Sequence, residues 1–452
     1  MTIIRQGSLF GIQELYDLQP TQRFEAIFST FNMDQIFAVV TKKSRFGRPV
    51  ELNYAAMVYS LVARIIERIP FIKDLVRRLK YDMIFRLDCG FLVSDSVPSE
   101  AAFSRMITII SESNVLESVQ DALLIRAINE GYINDDTVAT DACHFESRDQ
   151  APPKEEKPET EPKKRGRKTK AAREQWLIEQ AELEANLPLF EKKIEAQLDV
   201  PLEQLRVEIP QEPHWGVKKN SEGKNVFWYG YKAHLAVGAK SQYILQSILS
   251  SGNLNDGKAA IPLLKGIQER LPISTIRYHT MDAGYDFEPI YKQIHQIGHQ
   301  AVIPYNRRNE PELIGFDKHF APTCVREHSY RYDSFDRKYE TLKYSRPKEC
   351  QTCPLANDEL CQKVYKVKIT TDLRKYTAPA RGSKTWKNIF KRRTAVERVN
   401  AYLKEFYQLN NVRYRTGKRA KVHFDLVTLA YNAAKLAADR INALLNSQPK
   451  KV

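Results

Sequence analysis

Acidic residues, cysteine and long apolar runs are all scarce in this chain. Against 70 Lys and Arg stand 55 Asp and Glu, for a net charge of +15. No stretch approaches the ~18 consecutive apolar residues of a membrane-spanning helix. The opening "MTIIRQGSLFGIQ" lacks the apolar centre of a secretory leader. A cytoplasmic protein with no membrane partner is therefore expected. Six cysteines in 452 residues exclude a disulfide-stapled scaffold. No internal repeat is visible, which excludes a solenoid.

What is present is positive charge, concentrated in one place. Residues 381–421 carry thirteen Lys or Arg against two acids, Glu397 and Glu405, and so supply eleven of the fifteen net charges. Such a patch suits a polyanionic partner, and a basic composition points to nucleic acid.

Patterning divides the chain. Residues 1–130 read as a helical domain. "NYAAMVYSLVARIIERI" has apolar residues three and four apart, and Ser99 with Glu100 offers a helix start. A DNA-binding domain and a plain packing domain both fit its basic faces. "INDDTVATDACHF" reads as a short strand ending near Asp141. The Pro-, Lys- and Glu-rich stretch after it reads as a mobile connector. Its "PKKRGRK" has Arg165 and Arg167 flanking Gly166, as in a minor-groove arm, although a plain solvated linker is the better explanation. From residue 225 the order is strand, strand, helix, strand, helix, strand, in "NVFWYGYKAHLAVG", "YILQSILSS", "NDGKAAIPLLKGIQERL", "TIRYHTMDAGYD", "FEPIYKQIHQIG" and "HQAVIPY". The expectation is an α/β fold with a mixed sheet and flanking helices over 131–305 and 386–445. A charged linker and helical insertion occupies 146–211, and a Cys-containing insertion occupies 306–385.

Three carboxylates stand out. Asp141 and Asp282 each end a strand, where a side chain can point into a crevice without disrupting the ladder. Glu397 lies in "FKRRTAVERVNAYLK" among five basic residues. At about 100° per residue, Arg393, Lys404, Glu397 and Phe390 share one stripe of a helix, with Asn400 on the same face. The apolar stripe of Val396, Val399, Leu403 and Phe406 lies elsewhere. Glu397 could instead close a capping box with Thr394. Cys350 and Cys353 form a CxxC pair, with Cys361 and Cys324 nearby. The four can make a tetrahedral zinc site, or can stand as reduced thiols without metal.

The Phe390, Arg393, Glu397, Lys404 spacing resembles the Y-(2)-R-(3)-E-(6)-K signature of bacterial insertion-sequence transposases with a DDE active site. "TDACHFESRD" and "MDAGYD" resemble the segments that carry that family's first two aspartates. "FWYGYKAHLAV" resembles its second strand, and "RFGRPVELNYAAMVYSLVARI" its helical N-terminal domain. The likeness covers most of the chain except 146–211 and parts of 306–345. It implies a ribonuclease-H-like catalytic domain in which Asp141, Asp282 and Glu397 hold two Mg²⁺ or Mn²⁺ ions. Phe390, Arg393, Asn400 and Lys404 would contact DNA. Phe390 lacks the hydroxyl that the family's tyrosine offers to phosphate, and Tyr402 and Tyr407 are the hydroxyls nearby. The implied activity is cutting double-stranded DNA at the ends of the element and joining the 3′ ends to target. The enzyme would act as a DNA-bound homodimer, in a bacterial cytoplasm beside the nucleoid. The rival readings are a metal-dependent nuclease of the same fold and an inactive DNA-binding relic.

Overall fold

The computed structural model describes residues 22–41, 52–153, 169–219, 222–356 and 361–447. The Arg165/Arg167 arm lies outside the described residues. The chain divides into two compact units, Met1–Ile133 with Asn400–Val452, and Asn134–Val399.

The first unit is helical. It begins with α1 (Gln22–Phe28), α2 (Asp34–Val40), α3 (Tyr54–Ile66), α4 (Ile72–Tyr81), α5 (Met83–Asp88), α6 (Glu100–Ser111) and α7 (Val115–Asn129). Side-chain caps set several starts, as short polar residues at these positions commonly do. Asn53 accepts from Ala56 N at 3.0 Å and Ser99 from Ala102 N at 3.3 Å.

The second unit opens with β1 (Thr137–Glu146). The insertion after it holds α8 (Lys170–Asn186) and α9 (Leu202–Glu208). Residues 170–173, expected in the connector, already belong to α8. Next come β2 (His214–Lys219), β3 (Asn225–Gly238), β4 (Ile244–Ser251), α10 (Asp256–Arg270), β5 (Tyr278–Thr280), α11 (Glu288–Gln296) and β6 (Gln300–Val302). These strands form one sheet in the order β2-β3-β1-β5-β6, with β4 also paired to β3. β1 is antiparallel to β3 and parallel to β5, which is parallel to β6. The sheet is thus mixed, and its middle is apolar: Val138, Ala139, Ala233, Leu235, Val237, Ile244 and Leu249 are buried.

The 306–385 segment, expected as a Cys-containing insertion, has strands of its own. It forms an antiparallel sheet of β7 (Arg331–Asp336), β8 (Thr341–Ser345) and β9 (Val364–Lys368). Phe320, Tyr330, Leu342, Tyr344, Val367 and Tyr376 are among the residues of its separate core.

The chain then forms α12 (Lys384–Phe390), a 3₁₀ turn at Lys391–Arg393, α13 (Thr394–Phe406) and α14 (Gly417–Ser447). The unit boundary falls inside α13. The sequence reading assigned 386–445 to the sheet domain, but Asn400 onward packs with the helical unit. The reason is α14, whose buried Val422, Phe424, Leu426, Leu429, Ala433 and Leu436 belong to that unit's core. Arg440 pairs with Glu130, and Lys421 with Glu117.

Candidate active site

β1 does not end at Asp141. It runs on to Glu146, because Asp141 through Glu146 pair with Leu235 down to Gly230 of β3. What ends near Asp141 is the pairing on the other edge. The parallel ladder of β1 with β5 stops at Ala139 opposite Thr280. Asp141 and Asp282 each lie two residues past that last rung, so the shared register sets them beside each other. Neighbouring strands lie ~4.8 Å apart. Beyond its last rung a strand edge no longer carries a partner, and that is where polar side chains can gather.

Local backbone contacts fix both aspartates. Asp282 caps a 3₁₀ turn at Ala283–Tyr285, accepting from Gly284 N at 2.8 Å. The turn is held from behind by buried Asp286. Asp286 accepts from Tyr291 Oη at 2.7 Å, Asn306 N at 2.8 Å and Arg374 Nη2 at 2.9 Å. Asp141 accepts from Ala142 N at 2.8 Å. Burial raises the Asp141 pKa to about 6. The nearby charges of Asp282 and Asp256 add to the rise, while the Ala142 amide and Arg393 oppose it.

Glu397 does not join this pair directly. Arg393 links them: its guanidinium bonds Glu397 on one side and stands 3.5 Å from Asp141 Oδ2 on the other. The capping box does not form. Glu397 takes Arg393 instead, while Thr394 Oγ1 donates to Lys391 O and accepts from Arg398. Asp256, at the start of α10, is a fourth carboxylate near the group, and Lys232 pairs with it at 2.8 Å. Buried Tyr285 feels Asp256, Asp141 and Asp282, yet its hydroxyl makes no hydrogen bond among the described residues. Sequence reading missed both. Asp256 in "NDGKAA" reads as an ordinary acidic first turn, and Tyr285 reads as core.

As the side chains stand, no three His, Cys, Asp or Glu groups among the described residues are arranged to hold a metal ion. The donor set nonetheless fits a hard divalent cation. Adjacent carboxylates, one with its pKa raised by burial, are under-compensated, and oxygen donors are what Mg²⁺ and Mn²⁺ take. Glu397 is 46% exposed at its side chain and has room to turn.

The other expected contacts are dispersed. Phe390 stacks on Trp386 at 5.0 Å, with Arg393 5.8 Å from its ring. Asn400 is buried, with Oδ1 making no hydrogen bond among the described residues. That corrects its placement on an open, DNA-facing stripe: Asn400 starts the segment that packs in the helical unit. Lys404 lies in the same unit and is half-buried. Among the cysteines, all free thiols, Cys350 is hydrogen-bonded to Cys361, and Cys324 lies close enough to act on Cys350. All three raise the Tyr330 pKa, after burial. Cys353 is turned to Arg326 Nη1 at 3.8 Å.

A mixed sheet whose adjacent central strands deliver aspartates to one edge, with a basic helix supplying a glutamate, defines a ribonuclease-H-like domain. Residues 205–433 match the family described as Transposase DDE domain, just over half of the chain, and residues 13–108 match the Transposase domain (DUF772). The chain belongs to the insertion-sequence DDE transposases, which bind DNA and generally use divalent metal ions. No curated protein matches it. β1 and Asp141 lie outside both matched segments. Among the described residues no helix is long and apolar enough to cross a membrane.

Proposed function

We propose that this transposase cuts DNA at the ends of its element and joins the freed 3′ ends to target DNA, using Asp141, Asp282 and Glu397 to hold two Mg²⁺ or Mn²⁺ ions. The observation that carries the reading is the in-register placement of Asp141 and Asp282 with Arg393 tying Asp141 to Glu397. Bound divalent ions would supply charge neutralisation at the attacking and leaving oxygens of an in-line displacement. The protein's part is positioning. The Gly284 amide holds Asp282, and the Ala142 amide holds Asp141. Arg393 balances the charges of Asp141 and Glu397 in the DNA-free protein, then turns to a DNA phosphate. Exposed Lys391, Arg392 and Arg398 line the approach as phosphate contacts. Phe390 offers a ring face and no hydroxyl; Lys404 completes the signature. Two element ends are brought together by a homodimer on DNA, in the cytoplasm beside the nucleoid.

Asp282→Asn keeps the shape of the turn and removes a charge. With Mg²⁺ and DNA carrying the element ends, it should lower cleavage by about 10²–10³-fold, the scale of losing a charge-stabilising group. Unchanged cleavage would sink the assignment. A 3′-joining assay on the wild type separates transposition from simple nuclease action, since cleavage without joined product is nuclease chemistry.

For the smaller sheet we propose a structural zinc on Cys324, Cys350, Cys353 and Cys361. The grouping of three thiols about Tyr330 supports it, and Cys353 would leave Arg326 to complete a tetrahedron.

A further inference from the structure

β3 continues well past the end of β1, and with β2 it forms a two-stranded ribbon in which Trp215 faces Tyr229 and Val217 faces Phe227. One side of the ribbon is anchored. Buried Trp228 lies across Gly216 so closely that a Cβ there would sit 2.2 Å from its ring, and Trp228 also packs on His144 at 4.5 Å. Side chains alternate along a strand, so Trp215, Val217, Phe227 and Tyr229 all fall on the opposite side. There Trp215 is 49% exposed, Val217 54% and Phe227 63%. Trp215 and Tyr229 meet edge to face at 5.6 Å. Isolated exposed apolar side chains are ordinary, but a contiguous aromatic face rimmed by charge marks an interaction surface. At the end of β2, exposed Lys219 falls on this side and exposed Lys218 on the other, its Nζ 3.5 Å from His144 Nδ1, while Asp149 and Glu212 are the acids that act on Tyr229.

We infer that this ribbon is a second DNA contact, in which Trp215 and Phe227 pack on the sugars and base edges of a duplex while Lys218 and Lys219 pair with its phosphates. The inference rests on the proposal that the chain works on DNA. Exposed lysines on both sides of the ribbon's end, in a chain of net charge +15 that would repel a second copy, favour a polyanion, and a two-stranded ribbon fits a major groove with phosphates on both flanks. Along β3, Tyr229 and Phe227 lie six and eight residues from Leu235, the partner of Asp141. At ~3.3 Å per residue and ~3.4 Å per base pair, that is roughly 6–8 base pairs from the cut.

The test is binding of end-bearing duplex without divalent metal, by fluorescence anisotropy across a salt series, on the full chain. Trp215→Ala/Phe227→Ala should weaken binding by about tenfold, the scale of lost aromatic contacts with bases, with an unchanged salt slope. Lys218→Gln/Lys219→Gln should reduce the log–log salt slope by roughly 1.8, at ~0.9 per phosphate contact. All four residues are exposed, and the two pairs fail differently, so an unfolded variant would be recognised by circular dichroism without leaving the other pair uninformative. Affinity and slope unchanged in both pairs overturn the inference. So does a change in oligomeric state with DNA binding intact, which would make the face a protein interface. Asp282→Asn should bind with wild-type affinity. If it still cuts, the catalytic reading fails while the ribbon result stands.

Discussion

In the central sheet, β4 is buried at every position but one and β3 is buried almost throughout from Tyr231 to Gly238. In the small sheet, β7 buries nothing and β9 buries only Val367. The first is covered by helices: α10 lies on β4 and β3, and α11 on β6. Its strands therefore carry near-continuous apolar sequence. Among its described residues the second has no α-helix of its own. Its core comes from loop residues such as Phe320, Tyr330 and Tyr376 packed on Leu342 and Tyr344 of β8. Burial sustains one sheet, whereas the other needs support from its connections, since a few short strands with a thin core are marginal. Asp141 and Asp282 lie on strands or strand ends of the first, and Cys324, Cys350 and Cys361 gather at the second.

Removing zinc separates the two most sharply. If the thiols hold it, purified protein contains one zinc per chain. Chelation, or Cys350→Ala/Cys353→Ala, should then strip hydrogen-exchange protection from 331–336, 341–345 and 364–368, because structural zinc contributes folding energy outright. β3 and β4 should keep theirs. Folded, active protein without zinc would end the metal proposal and leave the aromatic core as the small sheet's sole support.

Leucine truncations come next in size. Leu235 in β3 and Leu342 in β8 are both almost fully buried, and each truncation to alanine should cost roughly 2–5 kcal/mol. The distinction is reach. Leu235→Ala should lower protection across the central sheet, measured by hydrogen exchange, whereas Leu342→Ala should lower it in β7–β9 alone. Equal loss in β3 and β4 from Leu342→Ala would mean that the two sheets unfold together and the contrast between them is false.

The same contrast explains what the sequence made legible. Buried strands and amphipathic helices announce themselves by period, so β3, β4, β5, β6, α10 and α11 and the mixed sheet could be read, and Asp141 and Asp282 with them. β7, "RYDSFD", has no apolar alternation to read. β2, "HWGVKK", is short and interrupted by the glycine that Trp228 requires. β1 was cut short because Asp141 looks like a strand end; its continuation depends on pairing with β3, a partner ninety residues away. Asp256 joins the carboxylates only through the packing of α10. The division inside α13 leaves no mark because the helix is continuous.

The smallest expected effect is at Arg392. It sits beside Arg393 in the 3₁₀ turn and holds the start of β1, reaching Asp136 Oδ1 at 2.7 Å and Thr137 Oγ1 at 3.0 Å. Both charged side chains are close to half exposed, where solvent and salt screen the pair. The Asp136 carboxyl falls below its usual pKa although burial pushes the other way, because the Arg392 and Thr137 bonds outweigh it. Arg392→Ala should nevertheless cost no more than about 1 kcal/mol, a melting shift of at most roughly 4 °C for a unit of this size, and high salt should shrink it further. If burial is what sustains the central sheet, β1 keeps its register without this clasp and Asp141 stays in place. A loss above about 2 kcal/mol, or one indifferent to salt, would show instead that the strand bearing Asp141 is held from its charged end.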